Sequence, residues 1–178
     1  MKKIYYSWQD IENQTQEILR QLQRDAWRPD YVVGLTRGGL VPANLISQYL
    51  EVPMETLKVS LRDSKYGSES NLWMAEDAFG YDVYDAMCSG NGRKNILIVD
   101  DINDSGATLN WIKQDWRSGC LPDDERWNNE IWGHNVRIAA LVDNEASKSE
   151  LKISYSAVDL NKAEEDVWIV FPWEDWWK

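Results

Sequence analysis

Apolar positions change their period along this chain of 178 residues, and the changes mark out its elements. Ile11, Ile18, Leu19 and Leu22 recur at helical spacing, so an amphipathic helix is predicted over roughly residues 8–25. Ser7 followed by Asp10 resembles a capping box at its start. Arg28–Pro29 ends it, because a proline pushes the preceding residue out of the helical region. Tyr31–Leu35 (YVVGL) is a short β-branched run read as a buried strand, and Thr36–Gly39 (TRGG) is a turn. Leu40–Leu50 reads as a helix with Pro42 in its first turn, where a missing N–H costs little. Met54–Leu61 alternates like a strand, and Asn95–Val99 (NILIV) is a strong buried one. A helix over Gly106–Arg117 and a strand over Val136–Val142 follow, and Ile153–Val158 and Val167–Val170 read as strands of a smaller subregion near the end. Two stretches lack a period. Residues 62–94, rich in Gly, Ser, Asp and Asn, read as a long irregular functional loop, and residues 118–135 read as a loop excursion. Apolar strands alternating with helices predict an α/β fold, a central parallel sheet flanked by helices. Ligands in such sheets sit beyond the carboxyl ends of the strands, where TRGG and the residues after NILIV fall.

Composition narrows the function classes. No run approaches the roughly 18 apolar residues of a membrane span, and the opening MKKIYYSWQD lacks the apolar stretch of a signal peptide. The chain therefore reads as soluble and cytoplasmic, with no membrane partner. Its formal net charge of −11 repels nucleic-acid backbones at long range, which argues against nucleic-acid binding. A small phosphorylated ligand stays compatible, because a local nest of N–H groups binds it against the global field. Cys88 and Cys120 form no CxxC or zinc spacing and read as free thiols. The eleven tryptophans read chiefly as packing residues, with Trp168 also a candidate platform for a flat base.

Candidate chemistry is concentrated in Ile96–Leu109 (ILIVDDINDSGATL). A buried strand delivers Asp100 and Asp101 to its carboxyl end, a short loop Asn103–Gly106 follows, and a helix begins with Ala107 and Thr108. The free N–H groups and partial positive charge of a helix N-terminus suit a phosphate. Gly106 allows close approach of the backbone, and Ser105 and Thr108 add hydroxyl donors. The two carboxylates can accept hydrogen bonds from a sugar diol or hold hydrated Mg²⁺. A diol acceptor beside a phosphate nest describes a ribose 5-phosphate site.

This stretch resembles the thirteen-residue phosphoribosyl-pyrophosphate (PRPP) signature of the type I phosphoribosyltransferases: four apolar residues, two acids, and a loop ending in Thr/Ser-Gly-x-Thr. Val32–Ser47 (VVGLTRGGLVPANLIS) resembles the pyrophosphate loop and following helix of bacterial xanthine-guanine phosphoribosyltransferases. Val167–Glu174 (VWIVFPWE) and Tyr6–Ile11 (YSWQDI) resemble the base-binding segment and the opening of the 6-oxopurine members. The resemblance covers most of the chain, leaving out residues 62–94 and 118–135. It implies one domain over 1–178, with a mobile loop at about 62–94 and a hood formed from about 145–178 with the N-terminus.

The implied activity is transfer of ribose 5-phosphate from PRPP to a purine base in purine salvage, with Mg²⁺. Asp104 would be the catalytic base and Asp100 and Asp101 would hold the ribose, Asp101 also the metal. Asp104, Ser105, Gly106, Ala107 and Thr108 would bind the 5′-phosphate, and Thr36, Arg37 and Gly38 the pyrophosphate. Trp168 and Ile169 would bind the base. Where 6-oxopurine members carry a lysine that donates to the base O6, alignment on Ala139–Leu141 puts Asn144, whose amide donates without a positive charge and can also accept. An adenine-like or other acceptor base therefore stays open, as does a non-enzymatic nucleotide- or PRPP-binding regulator. Homo-oligomerisation is expected from the resemblance alone. Lys58, Arg62 and Lys65 are further candidates for phosphate contact, and His134 reads as a surface residue.

Overall fold

A computed structural model describes residues 1–59, 71–81 and 92–178. The expected contributions of Arg62, Lys65 and Cys88, and most of the loop expected at 62–94, lie outside these residues. The elements run β1 (Lys2–Tyr5), α1 (Trp8–Arg24), β2 (Tyr31–Leu35), α2 (Leu40–Leu50), β3 (Met54–Leu57), α3 (Leu72–Phe79), β4 (Ile96–Asn103), α4 (Ala107–Gly119), a π-helical turn (Trp127–Ile131), β5 (Val136–Asn144), β6 (Tyr155–Leu160) and β7 (Val167–Val170). The capping box forms as the sequence suggests. Ser7 Oγ accepts from the Asp10 amide at 3.2 Å, and the Asp10 carboxylate accepts from the Ser7 amide at 2.7 Å.

Five strands make one parallel sheet in the order β3-β2-β4-β5-β6. One face carries α1 and α2, whose Ile11, Ile18, Leu22 and Ile46 pack on Val32, Leu97, Val99 and Leu141. The other carries α3, α4 and the π-helical turn over Val33, Leu35, Ile96 and Ile98. Both faces of β2 and β4 are thus covered, so their sequences are apolar runs and not alternating ones. A second, two-stranded parallel sheet joins the chain ends, with Lys3 opposite Trp168 and Ile4 opposite Ile169.

The structure departs from the sequence pattern at several elements, among them β3, which ends at Leu57. β6 is the edge strand of the main sheet and not part of a terminal subregion, because Tyr155 pairs with Ala139 and Val158 with Val142. β4 runs on through both carboxylates to Asn103, since β5 keeps pairing with it as far as Asp143. The stretch expected to be irregular contains α3, whose Met74, Ala75, Ala78 and Phe79 are buried on one side. Its eight residues are too few to show a period against a Gly-rich background. Residues 118–135, expected to be a loop, supply the π-helical turn and bury Trp127, Ile131 and Trp132.

Trp127 anchors that turn. Its ring is fully buried between Phe79 at 5.4 Å and Trp132 at 5.9 Å, and its indole N–H donates to the Cys120 carbonyl at 2.8 Å. Trp127→Ala should destabilise the protein by about 3–5 kcal/mol, the cost of emptying a large aromatic site. Chemical denaturation checks this, and a loss under about 1 kcal/mol would mean that the turn is not part of the cooperative core.

Candidate active site

The carboxyl edge of the main sheet gathers the residues singled out in the sequence. Thr36, Arg37 and Gly38 form the turn between β2 and α2, and the Thr36–Arg37 peptide is cis. They face Asp100 and Asp101 of β4 across a cleft of about 930 Å³ that Trp173, Glu174 and Trp177 also line. Gly38 touches the carboxylate directly. A Cβ at this position would lie 1.9 Å from Asp101 Oδ2, so no other residue fits without moving that side chain. Arg37 is exposed, and no ion pair ties it to any described side chain.

Two adjacent carboxylates in this half-buried place resist ionisation. Burial pushes the Asp100 carboxyl well above its usual range, and the Asp101 charge adds to the rise. Burial also raises Asp101, helped by the nearby Glu174 charge and opposed by hydrogen bonds. The amide of Asp101 donates to Asp100 Oδ1 at 3.0 Å, and that of Ile102 to Asp101 Oδ1 at 2.8 Å. Ionising both carboxyls is therefore unfavourable until a cation or a hydrogen-bond donor relieves the charge.

Beyond β4, the loop is only Asp104–Gly106 before α4 begins. Gly106 caps the helix at φ 83°, a left-handed conformation that favours glycine. Its missing side chain is also required by packing, because a Cβ would lie 2.2 Å from the Ser149 amide nitrogen. The turn after β5 braces this loop. The Lys148 amide donates to the Ser105 carbonyl at 3.1 Å, and Asn110 bonds both the Lys148 carbonyl at 2.9 Å and the Glu150 amide at 2.7 Å. Asn103, expected in the loop, ends β4 and links Asp143 at 2.8 Å to Ser147 at 3.1 Å. A small cavity of about 70 Å³ lies over Asp104, Ser105, Gly106, Ala107 and Thr108 and shares Asp100 with the larger cleft.

The residues expected at the base are placed differently from one another. Trp168 of β7 is 45% exposed, whereas its neighbours Val167 and Ile169 are buried. Asn144 is only 6% exposed, and its amide is spent on backbone. It donates to the Asp104 carbonyl at 2.9 Å and accepts from the Ala146 amide at 3.1 Å and the Lys162 amide at 3.0 Å. Lys162, which no sequence motif marks, pairs with Asp104 at 2.9 Å and lies 5.8 Å from the centre of the Trp168 ring. Trp173 stacks on Phe171 with ring centres 4.9 Å apart and touches Trp8 of α1, which fixes the segment after β7 against the N-terminus. Lys58 and His134 are exposed.

A parallel sheet whose inner strand runs through paired carboxylates into a glycine-capped helix is the arrangement of an α/β protein that holds a phosphorylated ligand at its carboxyl edge. The sequence matches the phosphoribosyl transferase domain over residues 1–175, and the chain belongs to that family. It is 22% identical to a hypoxanthine-guanine phosphoribosyltransferase of Schizosaccharomyces pombe, with 97% of this chain and 89% of that protein covered. It is 33% identical to a xanthine-guanine phosphoribosyltransferase of Cereibacter sphaeroides over 63% of this chain and 64% of that one. Among solved structures, a purine phosphoribosyltransferase of Pyrococcus horikoshii shares the fold with a TM-score of 0.63 at 23% identity, covering 98% of this chain and 96% of that one. A Helicobacter pylori xanthine-guanine-hypoxanthine phosphoribosyltransferase aligns with a TM-score of 0.64 at 18% identity, over 97% and 93%.

Raised carboxyl pKa values set a direction for stability. A carboxyl whose pKa rises on folding stabilises the folded state at pH below its unfolded value, near 4, and that contribution is lost as pH climbs through the folded value. Asp100 and Asp101 therefore cost the unliganded protein stability at neutral pH. Asp100→Asn should raise its melting temperature at neutral pH by a few degrees, with a smaller gain in acid, as scanning calorimetry would show. A lower melting temperature at neutral pH would contradict the assigned direction.

Proposed function

We propose that this protein transfers ribose 5-phosphate from PRPP to a purine base, releasing pyrophosphate, as a step of purine salvage. The observation that carries the reading is the juxtaposition of the Asp100–Asp101 pair, the Thr36–Gly38 turn and the glycine-capped start of α4 along one sheet edge. Names of the relatives, covering hypoxanthine, xanthine and guanine acceptors, support a purine.

Each group has a role that follows from its chemistry. The amides and hydroxyls of Ser105, Gly106, Ala107 and Thr108 hold the 5′-phosphate at the positive end of α4. Asp100 and Asp101 accept hydrogen bonds from the ribose hydroxyls, which relieves their mutual repulsion. Thr36 and Gly38 present backbone to the pyrophosphate, and Arg37, with no competing carboxylate among the described side chains, forks onto its oxygens. Asp104 receives the N7 proton of the base as N9 bonds to C1′ and the C1′–O bond to pyrophosphate breaks. Trp168 offers its exposed face to the flat ring, beside the backbone of Ile169.

Mg²⁺ fits the donor set. Asp100 and Asp101 are hard oxygen ligands, raised in proton affinity and unpaired with any described cationic side chain, and Mg²⁺ binds through one or two carboxylates together with substrate phosphates. No group of three His, Cys, Asp or Glu side chains forms a cage among the described residues, consistent with a metal carried by the substrate. When bound, the ion would neutralise charge on the leaving pyrophosphate. No described helix is long and apolar enough to cross a membrane, and we place the protein in the cytoplasm as a homo-oligomer.

The test is pyrophosphate release with PRPP, Mg²⁺ and single bases: hypoxanthine, guanine, xanthine, adenine and uracil. Release with a purine is the expected outcome, and none with any base would defeat the reading in favour of a regulatory binder. Asp104→Asn should lower kcat by roughly 100- to 10,000-fold while donor affinity changes little, as expected for loss of a proton acceptor. Equal losses in both would remove Asp104 from that role.

A further inference from the structure

We infer that Lys162, held beside Asp104 by the Asn144 amide, reads the 6-oxo edge of the acceptor base and makes the enzyme select 6-oxopurines over adenine. The inference rests on the purine-transfer reading above and names the group that sets its specificity.

Three observations on one small region carry it. Lys162 Nζ lies 2.9 Å from Asp104 Oδ1, so a cationic donor and an anionic acceptor stand side by side. The same ammonium lies 5.8 Å from the centre of the Trp168 ring, the half-exposed aromatic face against which a flat base can stack. The two charged residues are also joined through the backbone by a single buried side chain. Asn144 accepts from the Lys162 amide at 3.0 Å and donates to the Asp104 carbonyl at 2.9 Å. Lys162 is 18% exposed along its side chain, and Asp104 is 50% exposed, so the pair is anchored on one side and open on the other.

The edge chemistry of the bases then decides which ligand matches. A 6-oxopurine presents O6, an acceptor, next to N7, whereas adenine presents the N6 amino group, a donor, next to N7. In the N7–H tautomer the 6-oxopurine edge reads acceptor then donor. This complements an ammonium followed by a carboxylate: Lys162 donates to O6 while Asp104 accepts the N7 proton. The ion pair of the free protein opens to admit the base, and each charge finds a new partner on the same edge. Adenine would set two donors, its amino group and the ammonium, against each other, with one left unsatisfied. Asn144 is a positioning residue here. Its oxygen already accepts two backbone N–H groups and its nitrogen donates to the Asp104 carbonyl, so its bonds hold the two segments together while Lys162 supplies the charged donor.

The experiment compares the wild-type chain with Lys162→Met and Lys162→Arg, first confirming by circular dichroism that each is folded. Turnover is measured with PRPP and either hypoxanthine, guanine or adenine, and equilibrium binding is measured by titrating IMP and AMP. Lys162→Met should lower kcat/KM for hypoxanthine and guanine, and affinity for IMP, by roughly 10- to 100-fold, the loss expected for one charged hydrogen bond. KM for PRPP and affinity for AMP should stay within about threefold, so that the ratio of IMP to AMP binding collapses; a merely structural lysine would weaken both nucleotides together. Lys162→Arg, which keeps the donor and the charge, should restore most of the IMP preference. An unchanged hypoxanthine-to-adenine ratio in Lys162→Met, or equal losses for IMP and AMP, would overturn the assignment to Lys162 while leaving purine transfer standing. A wild-type chain that prefers adenine would overturn it too, and one that turns over no purine would remove the reading on which it rests.

Discussion

Everything at this site depends on β4 being an inner strand of a parallel sheet. It is hydrogen-bonded to β2 on one side and β5 on the other, and both its faces are covered by helices. Where both neighbours pair with it such a strand has no free backbone polar groups, so chemistry appears past Val99, where the pairing with β2 ends and only β5 continues. Ile96–Val99 are completely buried, and the two residues that follow are both acids. Placing them there is costly, as the raised pKa values of Asp100 and Asp101 show. The cost has a use. Carboxylates that are poorly solvated and crowded bind a sugar diol or a metal-bearing ligand with less competition from water.

The same strand explains what could be read in the sequence and what could not. Buried runs such as YVVGL and NILIV, and the periodic stretches of α1 and α2, are legible because one residue pattern admits one environment. The PRPP-like stretch was legible for a further reason: acids, glycine and hydroxyls must follow in that order when a strand passes directly into a helix around a ligand. α3 and the π-helical turn were missed because they are short, and their burial comes from distant partners. Phe79 meets Trp127 across 48 positions of sequence, and no local period records it. β6 was misassigned because Ala139 and Tyr155 meet in a ladder that only the three-dimensional return of the chain creates.

The base end of the site was the least legible part. Asn144 stands in the sequence where the 6-oxopurine resemblance implies a lysine. In the folded chain the amide faces inward and ties the Asp104 loop to the segment that carries Lys162. Lys162 stands in a polar stretch, LNKAEEDV, with the features of a solvated turn. Only the fold, which brings the β6–β7 connection across the end of β5, gives its charge a partner in Asp104. A charge lost from one segment and regained from another leaves no signature in a linear motif, because the two segments share only the point in space where they converge.

There remains the question of how a chain with a formal charge of −11 accommodates a ligand as anionic as a sugar pyrophosphate. Long-range repulsion is screened beyond about 8–10 Å at physiological salt, so the fields that matter are those within the cleft. There the charges are sorted by sign. In the proposed reading the acids stand at the sugar position, where hydroxyls and a cation would meet them. The two ends proposed to receive phosphate carry backbone amides, hydroxyls and Arg37, which no described side chain neutralises in an ion pair. A purely cationic pocket would hold the donor and the pyrophosphate product about equally well, and release would be slow. In the proposed arrangement the phosphate contacts are directional and carry a single cationic side chain, Arg37, so that affinity would depend on the sugar and the cation being present together. An acidic surface then costs little in the binding of a small ligand held by local donors.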